Sequence, residues 1–182
     1  MGVGNDDEGV PQHGPKANDM SLSRHPERLP VISPAVAPDV SETLVRVNYS
    51  ETDQMGVVYH ARYLVWLDIA RTEHLRQAGM SYRDLEEAGL RLAVSDLSVR
   101  YRQPARYDDR IRIRCWVREL ASRRIDFGYA IERADEGLLL ATAFTSLLAL
   151  TRTMSFTRLP DAVRAAMRPV PDPINLHLTH AR

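Results

Sequence analysis

The chain has 182 residues, enough for one ordinary domain with tails, and its 24 basic and 24 acidic side chains leave it formally uncharged. That balance gives no reason to expect nucleic acid or an anionic membrane as the main partner, and an apolar content of 44% argues against disorder throughout. Cys115 is the only cysteine, which excludes an intrachain disulfide and the cysteine-rich metal patterns, and a reducing cytoplasm is the simplest compartment. Lys16 is the only lysine, so phosphate contacts, if the chain makes any, fall to arginine. The first ten residues are acidic where a secretory signal would be basic and then apolar, and no apolar run reaches the roughly 18 residues of a membrane span. A soluble, unexported chain is the expectation.

Residues 1–41 carry Pro11, Pro15, Pro26, Pro30, Pro34 and Pro38 with few large apolar groups, and read as a flexible arm. The domain is expected over 42–168, followed by an irregular, proline-rich tail at 169–182. Leu44–Tyr49 alternates apolar and polar as a first strand. A polar segment, 50–56, ends at Gly56. From about His60 to Ala78, the residues Tyr63, Trp66, Leu67, Ala70, His74 and Ala78 recur at helical spacing. Leu64, Ile69 and Leu75 widen that face, predicting a largely enclosed helix stopped by Gly79. Ser81 reads as the N-cap of a second, short helix ending before Gly89.

Everything from Leu90 to Thr151 reads as strands. Leu92 and Val94 alternate on even positions but Leu97, Val99 and Tyr101 on odd ones, predicting a bulge near Ser95 and Asp96. Ile111, Ile113, Cys115 and Val117 face one way, with Arg110, Arg112, Arg114 and Arg118 opposite; Ile125, Phe127, Tyr129 and Ile131 repeat the pattern. Leu138–Leu150 is apolar on both faces, as in a strand that is central or at a subunit contact. One long helix between a first strand and four antiparallel strands makes an α+β domain, and so small a sheet leaves an open edge that oligomerisation would cover.

The stretch Tyr49-Ser-Glu-Thr-Asp53-Gln-Met-Gly56-Val-Val-Tyr59-His60-Ala-Arg-Tyr63-Leu resembles the signature of 4-hydroxybenzoyl-CoA-thioesterase-like enzymes. Trp66-Leu-Asp68-Ile-Ala-Arg71-Thr-Glu73 and Arg100-Tyr101-Arg102-Gln-Pro104 continue the likeness over roughly residues 44–160. The resemblance implies a hotdog fold, a curved antiparallel sheet of about five strands wrapped around one long helix. It further implies an acyl-CoA thioesterase that works as a homodimer or homotetramer, with its site at the dimer interface and with no metal or organic cofactor.

Taken by itself, a carboxylate before a helix is a cap first and a catalyst second. The motif reverses that order for Asp53, which it matches to the catalytic carboxylate, either nucleophile or general base. By the same match the backbone N–H of His60, at the helix N-terminus, polarises the thioester carbonyl. Gly56 would permit close backbone approach. Tyr59 and Tyr63 line the acyl pocket or are ordinary core. Ser122, Arg123 and Arg124 match the part of the family that contacts the CoA nucleotide, although adjacent arginines at a hairpin are also a common solvated surface. Glu51 receives no catalytic role; it either perturbs Asp53 as a paired carboxylate or is solvated like it. Glu73 is a reserve catalyst, since a sister branch uses a helix glutamate, but Asp68 with Arg71 reads as an ion pair. His74 falls on the core face, and Cys115 has no activating base. Two other readings compete: a hotdog hydratase or dehydratase, which the Thr-Asp loop fits poorly, and a non-catalytic acyl-CoA-binding hotdog protein, which would have no need of Asp53.

Overall fold

The computed structural model describes residues 1–2 and 38–176. Most of the expected arm (3–37) and the end of the expected tail (177–182) lie outside the described residues. In chain order the elements are β1 (Ser41–Arg46), a 3-10 turn (Tyr49–Glu51), α1 (Arg62–Gln77), α2 (Tyr82–Glu87), β2 (Arg91–Tyr101), β3 (Arg110–Leu120), β4 (Arg124–Arg133), β5 (Leu138–Leu150) and α3 (Asp161–Ala166). The strands form one antiparallel sheet in the order β1-β3-β4-β5-β2, with α1 packed on β1 and β3. This is the α+β hotdog architecture that the loop motif implied.

The period-two rows of β3 and β4 set the core. Ile111, Ile113, Cys115 and Val117 with Ile125, Phe127, Tyr129 and Ile131 are all fully buried, against Tyr63, Trp66, Leu67, Ala70 and Leu75 of α1. Each large side chain so buried contributes about 1.5–3 kcal/mol. Ser81 caps α2, its hydroxyl accepting the Asp84 N–H at 3.1 Å while the Asp84 carboxylate accepts the Ser81 N–H. The bulge expected near Ser95 falls between Val94 and Asp96.

Three expectations need correction. β1 stops at Arg46, not Tyr49, because its partner β3 begins at Arg110; Val47 instead exchanges hydrogen bonds with the 108–109 loop. The freed residues turn into the 3-10 segment that leads to the Asp53 loop. Residues 59–62 form a separate turn, closed by the Arg62 N–H on the Tyr59 carbonyl at 2.8 Å, so α1 starts at Arg62. Nor is α1 largely enclosed: Leu64, Val65 and Ile69 are 37–41% exposed, since the sheet covers only one side of a helix that is apolar over a wider arc.

β5 runs between β4 and β2, and the segment after α3 covers the outer face of its first half, at Leu139 and Thr142. Trp116 stands in the outward arginine row of β3 yet is fully buried, with Leu176, Val170 and Ile174 over it. Its indole N–H donates to Asp172 at 2.9 Å, and Arg118 forks onto the same carboxylate at 2.7 and 2.8 Å. The Val170 N–H donates to the Val117 carbonyl and the Thr142 hydroxyl to the Leu176 carbonyl. Opposite Trp116 in the register is Gly128, and a Cβ there would lie 2.6 Å from the indole.

His74 lies on the core face of α1 as expected, 1% exposed, its Nδ1 2.9 Å from the Ser41 hydroxyl and its Nε2 without a partner among the described residues. Burial pushes its pKa down to about 4 from the usual 6.5. The folded chain thus holds His74 neutral where the unfolded chain would protonate it, so stability is full above pH 6.5 and declines as pH falls toward 4. The loss attributable to this residue approaches about 3 kcal/mol. Urea titrations across that range check it: His74→Phe should flatten the decline, and an unchanged slope in the variant would assign it elsewhere.

Candidate active site

The Asp53 loop is a tight reversal built almost wholly from its own backbone. Thr52 bridges Val58, the Asp53 N–H donates to the Val57 carbonyl at 2.9 Å, and the Gly56 N–H donates to the Asp53 carbonyl at 2.9 Å. Closing so short a turn takes a left-handed residue, and Gly56 supplies it at φ +71°. One carboxylate oxygen of Asp53 accepts the Met55 N–H at 2.8 Å, and the residue lines the cavity beside the loop. The Val58 N–H donates to the Ala105 carbonyl, which fastens the loop to the strand connection behind it.

A cavity of about 300 Å³ opens here, lined by Asp53, Met55, Val57, Val58, His60, Tyr63, Tyr101, Arg102, Gln103 and Pro104. Its wall is mostly apolar, with a carboxylate on one side and the approach to the α1 N-terminus on the other. Tyr63 is buried, accepts the Ala105 N–H at 3.2 Å through its hydroxyl, and meets Tyr101 edge-on at 5.1 Å. Tyr101, at the end of the edge strand β2, donates its hydroxyl to the His60 carbonyl at 2.8 Å and so fixes the peptide that enters α1. Among the described residues the His60 N–H donates to no backbone carbonyl. Asp53 and His60 in the lining of one mostly apolar cavity bring a carboxylate and the peptide that leads into α1 together, a pairing suited to acyl transfer.

Asp53, His60 and Tyr63 therefore share one cavity, with Gly56 in the loop beside it but outside the lining. Tyr59 is neither lining nor core: it is half-exposed and packs tilted against the His60 ring, with centroids 4.4 Å apart. Glu73 is outside the lining, paired with Arg76, and Asp68 pairs with Arg71. Cys115 is sealed in the core, where burial pushes its thiol far above the usual range. Glu51 is not solvated. It is 5% exposed; burial would push its pKa up, but the Asn48 N–H, Arg62 and Trp66 outweigh that and hold it below the usual carboxylate value.

Ser122, Arg123 and Arg124 lie at the other end of the sheet. Arg124 opens β4 opposite Leu148, itself paired with Ala93 near the start of β2, whereas Tyr101 pairs with Ala141 near the far end of β4. That separation is roughly 20 Å along the strands. Arg124 pairs with Glu119 and Asp126 at 2.9 and 3.1 Å, whereas Arg123 is exposed and forms no ion pair among the described residues. Sequence reasoning gave no role to Tyr101, Arg102, Gln103 and Pro104. Their signal was present, since they stand in the second stretch that carries the family likeness. Among the described residues no group of three or more His, Cys, Asp or Glu could hold a metal ion, and no helix is long and apolar enough to cross a membrane.

A hotdog sheet with a carboxylate loop at the head of its helix defines a class of thioester-handling proteins, and the comparisons agree. Residues 47–167 match the family model described as the thioesterase-like superfamily, and the chain belongs to that family. The acyl-CoA thioesterase YbgC of Haemophilus influenzae is 37% identical over 123 residues, 67% of this chain and 90% of that protein. Among solved structures, a DHNA-CoA thioesterase from Staphylococcus aureus is 32% identical at a TM-score of 0.66, covering 69% of this chain and 87% of that one. A hypothetical protein from Thermus thermophilus is 41% identical at 0.65, covering 70% and 95%.

Proposed function

We propose that the protein hydrolyses acyl-CoA thioesters to the free acid and CoA, working as the 4-hydroxybenzoyl-CoA-thioesterase-like branch of its family does. The observation that carries the reading is the shared cavity wall of Asp53 and His60. In this reading the thioester carbonyl oxygen accepts the His60 N–H, and the positive end of α1 adds to the stabilisation of the oxyanion. Asp53 then either attacks the carbonyl carbon, expelling CoA thiolate and leaving a mixed anhydride that water cleaves, or takes a proton from the water that attacks. Both routes end in carboxylate and thiol, and neither calls on a metal or organic cofactor. The acyl group lies against Val57, Val58, Tyr63, Tyr101 and Pro104.

A second copy completes the site. β2 is an edge strand, and Val94 and Leu97 on it are exposed, as are Leu64, Val65 and Ile69 on α1. Antiparallel pairing of β2 with β2 of another copy would bring the Ser122–Arg124 turn of that copy toward the Tyr101 end of this one. Arg123, exposed and in no ion pair among the described residues, is then the side chain suited to a CoA phosphate. We read the assembly as a homodimer or homotetramer acting in the cytoplasm. Arg123→Ala is expected to raise KM for acyl-CoA about tenfold with kcat unchanged, the effect shrinking as salt is added. Steady-state kinetics at two ionic strengths check this.

Thiol release from acetyl- through palmitoyl-CoA and from benzoyl-, 4-hydroxybenzoyl- and phenylacetyl-CoA tests the activity. Turnover of any of these supports it and the preferred acyl group names the substrate class. A folded protein that binds CoA but turns over none of them would be an acyl-CoA-binding hotdog protein instead.

A further inference from the structure

Glu51 holds a buried negative charge two residues before Asp53, and nothing in the hydrolysis as read above uses it. Its surroundings are unusually complete. One carboxylate oxygen accepts the Asn48 N–H at 2.8 Å, from the segment that enters the loop. The other accepts from three donors on α1: Arg62 Nη2 at 2.9 Å, Arg62 Nε at 3.2 Å and Trp66 Nε1 at 3.2 Å. Arg62 and Trp66 stand one helical turn apart, so both reach the same oxygen from one face of α1. The backbone carbonyl of Glu51 accepts the Tyr59 N–H at 2.9 Å, on the residue just before His60. One residue thus ties together the chain entering the loop, the chain leaving it and the first turn of the helix.

Asp53 has no such tie of its own. Among the described residues its carboxylate bonds only within its loop, to the Met55 N–H, and the loop tip at Gln54, Met55 and Gly56 is exposed. The frame around Glu51 relates that tip to the helix start, together with the Thr52–Val58 bridge, the bonds of Val58 and Tyr63 to Ala105, and the Tyr101–His60 bond. Keeping an ionised carboxylate out of water is costly, and a buried ion pair adds little stability over an apolar replacement. An interaction that costs folding energy and spans the two halves of a site is suited to setting geometry.

We propose that Glu51 is a positioning residue, whose carboxylate sets the separation between the Asp53 carboxylate and the His60 amide by locking the loop to the first turn of α1. It acts through Asp53 and His60 and touches no substrate. The inference rests on the reading of those two groups as the reacting pair. A displacement of the order of 1 Å in such a pair costs roughly a hundredfold in rate, so Glu51 is expected to act on kcat.

The test measures kcat, KM and thermal stability for Glu51→Gln, Arg62→Met and the double variant, beside wild type and Asp53→Asn. Glu51→Gln keeps the size of the side chain but gives up its charge and puts a donor where only acceptors fit. It is expected to lower kcat about ten- to a hundredfold with KM nearly unchanged. Arg62→Met, which releases the tie from its more exposed side, should lower kcat less, and the double variant should be no slower than Glu51→Gln alone. A merely structural Glu51 would lower the melting temperature and leave kcat untouched in the folded fraction. That outcome overturns the proposal, as do rate losses that multiply in the double variant. If Glu51→Gln does not fold, Arg62→Met carries the same kcat test: an unchanged kcat there overturns the proposal too. Turnover by wild type, loss in Asp53→Asn and full kcat in Glu51→Gln would sink this inference alone, whereas no turnover by wild type would sink the thioesterase reading and this with it.

Discussion

Asp53→Asn is expected to lower thiol release by about two or more orders of magnitude in a protein that still folds and still binds CoA. Folding should survive because the geometry of the loop scarcely uses the charge. The backbone bonds at Asp53 and Gly56 are unaffected, and the amide oxygen of asparagine can still accept the Met55 N–H. What is lost is the negative charge at the cavity wall, since an amide neither attacks a carbonyl nor takes a proton there. The oxyanion donors remain, so a residual rate above that of water should persist. Full turnover in the variant would move the chemistry to another group. Glu73, paired with Arg76 and outside the cavity lining, would need a rearranged helix to serve, which leaves the His60 side chain as the remaining reserve.

The second large effect concerns stability. Trp116→Ala is expected to cost about 3–5 kcal/mol, the range for removing a buried tryptophan. The indole is fully buried, fills the space over Gly128 and donates to Asp172, so its removal leaves a cavity and takes one of three donors from that carboxylate. The 169–176 segment loses its central contact, and limited proteolysis should cut there before the sheet unfolds. Gly128→Ala approaches the same spot from the other side: a methyl group meets a rigid ring at 2.6 Å, with an expected cost of about 1–3 kcal/mol. Equal protease resistance in wild type and Trp116→Ala would mean that this segment is held by other contacts.

Much of this was legible in the residues. The alternation of Ile111 to Val117 fixes which face of β3 turns to the core, because a slip of one residue would turn arginines inward, and Ile125 to Ile131 continue that face on β4, whose other face is buried as well. The phase change at Ser95 marked the bulge, and Ser81 announced α2 through its own side chain. Periodicity is silent on where a strand loses its partner. The row from Leu44 to Tyr49 alternates to its end, and only the start of β3 at Arg110 explains why β1 stops at Arg46. It is equally silent on what covers a face: Trp116 among four arginines was a signal of something packed outside the sheet, but that the cover is this chain's own C-terminal segment depends on contacts more than fifty residues apart.

At the site, the loop motif named Asp53, Gly56, His60 and Tyr63, and these line or border a single cavity. Tyr101 and Pro104 were missed because their place in the lining comes from the end of β2 lying against the α1 entry, which no local pattern records. Glu51 was misjudged for a related reason. Its polar neighbours in sequence suggest solvent, while the groups that bury it, Arg62 and Trp66, come from the helix.

The central claim is tested most directly by a crystal structure of Asp53→Asn grown with an acyl-CoA that the wild type cleaves. The expected result is an intact thioester in the Tyr63–Tyr101 cavity, its carbonyl oxygen about 2.7–3.1 Å from the His60 nitrogen and its carbonyl carbon beside residue 53. An acyl-CoA whose thioester lies elsewhere on the protein, with that cavity empty, would contradict it.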